Sequence, residues 1–469
     1  MADLRLQQIR ALRETDLDVL VIGGGINGAG VLRDLTLRAS YTNTSLRVGL
    51  VEQKHFGSGT SGKNSQLIHG GLRYLKYLQI PLVRESLHER SVLLRMAPQF
   101  VKPLAFLLPM YGIGSRLKYG AGLWLYDLLA GSQRIARHRL VSASEITNIE
   151  PGLSREGLTA GAIFYDGAIL SARFVVENIL DAIEHGAHAA NYIKADGWKR
   201  GKDGRWRVHC EDTLTGESFE INARKLVDAR GAWSESSSLR LVRGSHLVIP
   251  RLNAGDHAIA HFEPDGRIVF LIPWGSANQL TLVGTTDVDH QGTPDAVHIS
   301  NEERAYLLGI VHKLFPGRGA DVRPVATFSS LRPLAGDDSG SATSASRGHK
   351  IWNSPDGILH IAGGKYTTYR QMSEEASDLV CREIAPLLTP VHRTAETPFP
   401  PVEREIGGAL EQHLSDYLFV STYLGYERRW DFESLRPIAE SLGRARGWND
   451  ERVRDEVNGI IEKSEPVGA

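Results

Sequence analysis

Apolar, largely β-branched residues fill Leu17-Asp18-Val19-Leu20-Val21-Ile22 and stop on Gly23, the pattern of a strand buried in a parallel sheet. Small residues then take up helical spacing from Ile26 to Arg38, and a second apolar run, Arg47 to Glu52, ends on an acid. Strand, helix and strand make a βαβ unit. Val175 to Glu184 has helical spacing, Trp206–Cys210 and Ser218–Ile221 alternate like hairpin arms, and Lys225 to Val227 opens a short buried strand. From Gly244 to Leu282 polar and apolar positions alternate around Pro250, Pro273 and several turns, which predicts antiparallel sheet. A last strand, Leu359 to Ala362, leads through a double glycine into a helix from about Thr368 to Cys381. Pro386, Pro390, Pro398, Pro400 and Pro401 mark a linker, and the chain beyond it reads as helical and charged, without a catalytic-looking cluster. The Ser/Gly-rich stretch Asp338 to Ser346 reads as a loop.

A chain of 469 residues outgrows a single hydrophobic core, so two or three substructures are expected. With 42% hydrophobic residues, 23% charged residues and a net charge of -1, the chain is ordinary for a soluble protein and a poor partner for nucleic acid. Cys210 and Cys381 stand far apart, which excludes a disulfide framework and a cysteine zinc site; no metal is expected, and a reducing compartment fits. The first residues carry scattered charges and lack the apolar stretch of a secretory signal, and no run of about 18 apolar residues is present to span a bilayer. These features point to the cytoplasm. Leu117 to Arg139 combines Trp124, Tyr126 and leucines with Lys118, Arg134, Arg137 and Arg139. That mixture suits an interfacial element and hence peripheral contact with the cytoplasmic face of the inner membrane; an ordinary half-buried helix with a basic end is the other reading.

Gly23-Gly24-Gly25-Ile26-Asn27-Gly28 places G-x-G-x-x-G between a strand and a helix. Gly23 permits the tight turn, Gly25 lets the backbone approach a pyrophosphate, and Gly28 brings helix and strand together. The helix start offers amide donors and a positive dipole end to phosphate. Glu52 closes the second strand, where a carboxylate accepts from ribose hydroxyls; the polar segment Ser40 to Ser45 accounts for its extra distance from the glycines. This fingerprint serves FAD and NAD alike.

The run Gly59-Thr60-Ser61-Gly62-Lys63-Asn64-Ser65-Gln66-Leu67-Ile68-His69-Gly70-Gly71-Leu72-Arg73-Tyr74-Leu75 separates them. It closely resembles the corresponding block of the FAD-dependent glycerol-3-phosphate dehydrogenases and oxidases of the aerobic respiratory kind. Further blocks agree in order: Arg243-Gly244-Ser245-His246, Arg267 to Trp274, Gly284-Thr285-Thr286-Asp287, Leu331-Arg332-Pro333-Leu334, and Ala362 through Arg370. The resemblance covers roughly residues 17–375.

It implies an α/β architecture like that of D-amino-acid oxidase. A Rossmann-type FAD-binding domain (1–80, 155–240 and 325–390) is interleaved with a mixed or antiparallel-sheet substrate domain (81–154 and 241–324), followed by a C-terminal helical region (391–469). It also implies oxidation of sn-glycerol 3-phosphate to dihydroxyacetone phosphate, with electrons passed to a quinone or to dioxygen, and leaves a homodimer among the assemblies to consider. Thr60, Ser61, Gly231, Gly363, Gly364 and Thr367 take cofactor-binding roles by the same resemblance.

Oxidising a secondary alcohol requires a hydride acceptor and a base. His69 is the expected base, in a position the resemblance puts beside the flavin, with His246 as its rival. Arg73, Arg332 and Lys365 are expected to hold the phosphate, since guanidinium forks match its oxygens and an ammonium adds a point charge. Arg332 counts among the catalytic residues, and Tyr74 and Thr286 are expected to orient substrate hydroxyls. One block departs from the family, which usually has Asn-Ala-Thr-Gly-Pro-Trp where this chain has Asp228-Ala229-Arg230-Gly231-Ala232-Trp233. Arg230 could there clash or pair with the cofactor pyrophosphate. Two alternatives follow: a related flavoenzyme acting on an amino or hydroxy acid, and an FAD-binding protein that has lost catalysis.

Overall fold

The computed structural model describes residues 4–235, 239–318, 321–335, 348–401 and 410–463. The expected loop Asp338 to Ser346 lies outside them. Leu17–Ile22 is buried along its whole length and pairs in parallel with Val48–Glu52 on one side and Ser218–Asp228 on the other. The side chains alternate between faces, as strand geometry requires: Val19 and Val21 meet the layer of helices Ile26–Thr42, Ser171–Glu184 and Tyr369–Ile384, while Leu20 and Ile22 face a second core. The first sheet runs His349–Asn353, Leu359–Gly363, Ser218–Asp228, Leu17–Ile22, Val48–Glu52, His188–Asn191, with two antiparallel strands added through Trp206–Asp212.

The segment Lys225 to Val227 is no separate strand. It ends a single strand, Ser218–Asp228, that pairs antiparallel with Trp206–Asp212 up to Ala223 and then continues as the parallel neighbour of Leu17–Ile22.

The second sheet has ten strands, in the order Val288–Asp289, Leu239–Pro250, Leu280–Gly284, Ile268–Trp274, Ala258–Phe262, Val101–Tyr111, Leu158–Ile169, Leu67–Ile68, with Arg139–Ser142 and Ala326–Ala335 alongside. The expected antiparallel region is its centre. Leu158–Ile169 and Ala326–Ala335, from segments assigned to the cofactor domain, belong to this sheet, so the chain passes between the two layers more often than the sequence suggests.

Helix Ser115–Ala130 crosses the outer side of this second unit. Leu123, Tyr126 and Ala130 are buried. Leu117, Trp124 and Leu128 form a stripe on the opposite face and are 80%, 62% and 58% exposed, with Ile113 exposed just before it. The helix is thus half-buried and also presents an apolar outer face. Among the described residues no helix is long and apolar enough to cross a membrane.

In the C-terminal region, helices Phe432–Arg446 and Asp450–Lys463 pack around Leu435, Ala439 and Val457. The preceding segment folds back onto the rest of the protein. The Tyr423 hydroxyl accepts from the Ala172 amide at 2.9 Å and donates to the Gly62 carbonyl at 2.9 Å.

Candidate active site

A cavity of ≈ 1560 Å³ lies between the two sheets, lined by part of the glycine motif and by most of the expected substrate residues. At the glycine turn a side chain on Gly23, whose φ is +111°, would stand 2.6 Å from the Ala229 carbonyl oxygen. One on Gly28 would meet the Gly23 carbonyl oxygen at 1.9 Å. Gly28 therefore serves helix–strand packing and does not line the cavity, whereas Gly23 and Gly25 do.

Ser61 Oγ accepts from the Ile26 amide at 2.9 Å, at the start of helix Ile26–Thr42. Glu52 accepts from the amides of Gly24 at 2.6 Å and Lys54 at 2.8 Å. Burial raises its carboxyl above the ordinary carboxylate value, against the pull of those hydrogen bonds. Lys63 also lines this cavity, and burial together with the nearby Lys54 lowers its ammonium below the usual lysine value. Thr60, Gly231, Gly363, Gly364 and Thr367 complete the expected cofactor set on the cavity wall. Glycine turn, helix start, strand-end carboxylate and half-buried cation fit a dinucleotide with its pyrophosphate.

His69, Arg73, Tyr74, Arg332 and Lys365 line the same cavity. The strand Ala326–Ala335 carries Arg332, which lies against Gly244 of the neighbouring strand; a side chain there would collide with its guanidinium. Arg332 donates to Asp287 at 3.2 Å, to the Thr286 carbonyl at 3.1 Å and to Thr285 Oγ at 3.0 Å. Arg73 reaches the other oxygen of Asp287 at 3.3 Å. One buried carboxylate thereby holds two guanidiniums close together, a grouping their mutual repulsion opposes. Lys365 donates to Ser86 Oγ at 3.0 Å. Phe164, Ala260, Ile268 and Phe270 from the second sheet, with Val420 and Tyr426 from the C-terminal region, give the cavity an apolar wall.

Two expected substrate residues lie behind this surface. Thr286 is 1% exposed; its hydroxyl donates to Glu303 at 2.6 Å and accepts from the Ser245 amide, and only its carbonyl touches Arg332. His246 is equally buried, stacks on Phe328 and shares a 2.9 Å hydrogen bond with Ser65 Oγ. Burial, with the positive charge of Arg332, pushes its imidazole down to about 3. In the loop after strand Leu280–Gly284, Thr285 and Asp287 line the cavity while Thr286 is buried behind it, and the wall formed by Ser65 covers His246.

Arg230 is on the cavity wall and is already engaged. Its guanidinium pairs with both oxygens of Asp228, at 3.0 and 3.1 Å, and lies 5.0 Å from the Trp198 ring centre. Burial works against ionisation of Asp228, but hydrogen bonds from His360 and Arg230 hold its carboxyl far below the ordinary range. Two of the three departures from the family block, Asp228 and Arg230, are thus a compensating acid–base pair.

Sequence reasoning missed Asp287, although it stands in a quoted block, and the C-terminal residues at the cavity, whose approach depends on tertiary folding alone. Among the described residues no group of His, Cys, Asp and Glu could hold a metal ion.

The family described as FAD dependent oxidoreductase matches residues 18–370. The glycerol-3-phosphate dehydrogenase of Pseudomonas aeruginosa is 35% identical, over 96% of this chain and 86% of its own. The aerobic glycerol-3-phosphate dehydrogenase of Staphylococcus epidermidis is 33% identical, over 80% and 68% respectively. Solved structures that share the fold include the following two. Glycerol-3-phosphate dehydrogenase from Bacillus halodurans complexed with FAD has a TM-score of 0.74 at 22% identity, covering 99% of this chain and 98% of that one. Glycine oxidase from Geobacillus kaustophilus has a TM-score of 0.58 at 18% identity, covering 82% and 99%. With its glycine cradle and cavity in place, the chain belongs to the FAD-dependent oxidoreductase family and, within it, to the glycerol-3-phosphate dehydrogenases.

Proposed function

We propose that this protein oxidises sn-glycerol 3-phosphate to dihydroxyacetone phosphate. The observation that carries the reading is the meeting of Arg73, Arg332 and Lys365 with His69 on one cavity that also takes in the glycine cradle. When bound, FAD supplies a hydride acceptor at flavin N5.

The chain's own residues do the rest. Arg73 and Arg332 offer guanidinium forks to phosphate oxygens and Lys365 adds a third positive charge, enough to hold a dianion. Asp287 keeps both arginines on the wall before substrate arrives, so little ordering remains for the binding step. With the phosphate fixed, the imidazole of His69 accepts the proton of the C2 hydroxyl as the C2–H bond breaks. The apolar wall around Phe164 and Phe270 excludes water from the neighbourhood of the reacting carbon.

The electron acceptor in this reading is a membrane quinone, reached by peripheral attachment to the cytoplasmic face of the membrane. Its support is the exposed stripe Leu117, Trp124 and Leu128, flanked by the exposed Arg116, Lys118, Arg137 and Arg139, a pairing of apolar and basic groups suited to anionic lipid.

The test is turnover of the purified, FAD-loaded protein with an artificial acceptor on glycerol 3-phosphate, glycerol and glycine. Oxidation of the phosphorylated alcohol alone is expected. Oxidation of glycine in its place would overturn the reading.

A further inference from the structure

The cavity wall holds a buried carboxylate that neither substrate nor cofactor chemistry requires. Asp166, in strand Leu158–Ile169, is 3% exposed. It accepts from the Gly70 amide at 3.1 Å, from the Tyr126 hydroxyl at 2.8 Å and from the Arg90 guanidinium. Arg90 also donates to the Tyr165 carbonyl at 3.1 Å, and Tyr126 comes from the inner face of helix Ser115–Ala130. Three separate elements thus converge on the peptide that follows His69.

That peptide is held from its other side as well. The His69 amide donates to Thr367 Oγ at 3.2 Å, and the Thr367 hydroxyl stands 3.3 Å from the His69 carbonyl oxygen. Gly70 leaves no slack: a side chain on it would lie 2.3 Å from the Tyr126 hydroxyl oxygen and 2.4 Å from a Leu87 methyl carbon. The backbone bearing the imidazole cannot move away from Asp166 without breaking a hydrogen bond to a buried carboxylate, which is among the costlier bonds to lose.

We infer that Asp166 is a positioning residue for His69, acting through the Gly70 amide, with Arg90 and Tyr126 holding its carboxylate in place. The inference rests on His69 being the base. Packing alone is the competing explanation, since replacing a buried ion pair by apolar residues often leaves stability unchanged or improved. The two differ in what they predict when His69 is absent.

The experiment is a double-mutant cycle on the FAD-loaded protein, mixed anaerobically with saturating glycerol 3-phosphate while flavin absorbance is followed. Asp166→Asn and Tyr126→Phe are each placed in the wild-type and His69→Ala backgrounds. In the wild-type background flavin reduction is expected to slow about 100-fold for Asp166→Asn and about tenfold for Tyr126→Phe, within the reach of a misplaced general base. The substrate concentration giving half the maximal rate should change less than about threefold, because the phosphate clamp is untouched. In the His69→Ala background the same substitutions should change the rate less than about twofold. Equal slowing in both backgrounds overturns the inference and leaves the assigned base intact. Flavin reduction in His69→Ala at the wild-type rate overturns the base itself and the inference with it. Should Asp166→Asn fail to fold, Tyr126→Phe decides, because it retains the Arg90–Asp166 pair.

Discussion

The ammonium of Lys365 stands 4.0 Å from the centre of the Tyr74 ring. A ring face attracts a cation electrostatically and helps to hold the lysine at the cavity wall. Removing it should cost the binding of a phosphate dianion more than it costs the fold. Lys365→Met is expected to raise KM for glycerol 3-phosphate about 10- to 100-fold, as for loss of a charge-assisted hydrogen bond. Bound FAD should remain at the wild-type level in the same preparation. An unchanged KM would remove Lys365 from the clamp.

Asp287 makes a second prediction. Its carboxylate neutralises part of the repulsion between Arg73 and Arg332, and a phosphate in the clamp would do the same. Asp287→Asn should cost on the order of 2–4 kcal/mol of stability, the usual effect of stripping one partner from a largely buried ion cluster. Inorganic phosphate should then raise the thermal midpoint of Asp287→Asn more than that of the wild type. Equal shifts would mean that the anion does not bind between the arginines.

His246 gives a pH dependence of stability. Burial and the charge of Arg332 depress its folded-state value to about 3, against an ordinary value near 6.5. Below about pH 6.5 the unfolded chain binds a proton there that the folded chain refuses, so stability falls as pH drops from about 6.5 toward 3. The thermal midpoint of His246→Gln should fall less steeply than that of the wild type between about pH 6.5 and 4. Parallel curves would show that the imidazole is not kept neutral by the fold.

The outer face of helix Ser115–Ala130 is testable apart from catalysis. A Leu117→Asp, Trp124→Asp double variant should lose sedimentation with vesicles of anionic lipid at low salt, where the wild type pellets, while turnover with a water-soluble acceptor is retained. Failure of the wild type to pellet would remove the lipid-docking reading.

How far sequence could reach is clear from particular residues. The unit from Leu17 to Glu52 was legible because its signals are local: an unbroken apolar strand, three glycines at fixed offsets and an acid at a strand end. The strand Ser218–Asp228 was misread as two pieces because it changes surroundings midway, half-buried beside Trp206–Asp212 and fully buried beside Leu17–Ile22, and its pattern changes from alternating to continuous at that point. His69, Arg73, Arg332 and Lys365 were found through long ordered blocks, and the fold brings all four to one cavity. Thr286 and His246 share such blocks but are buried behind the cavity surface, a difference of side-chain direction that block resemblance does not encode. Asp166 and Tyr426 carried no local signal at all, since each acquires its place only when distant segments pack together.

Catalysis in this protein requires a phosphorylated alcohol to be oriented by Arg73, Arg332 and Lys365 for proton removal by His69. The most direct measurement is the visible spectrum of the FAD-loaded protein mixed with glycerol 3-phosphate in the absence of oxygen. Complete bleaching of the oxidised flavin is expected for the wild type, and bleaching at least about 100-fold slower for His69→Ala with its FAD retained. A wild-type spectrum that stays unchanged would contradict the account.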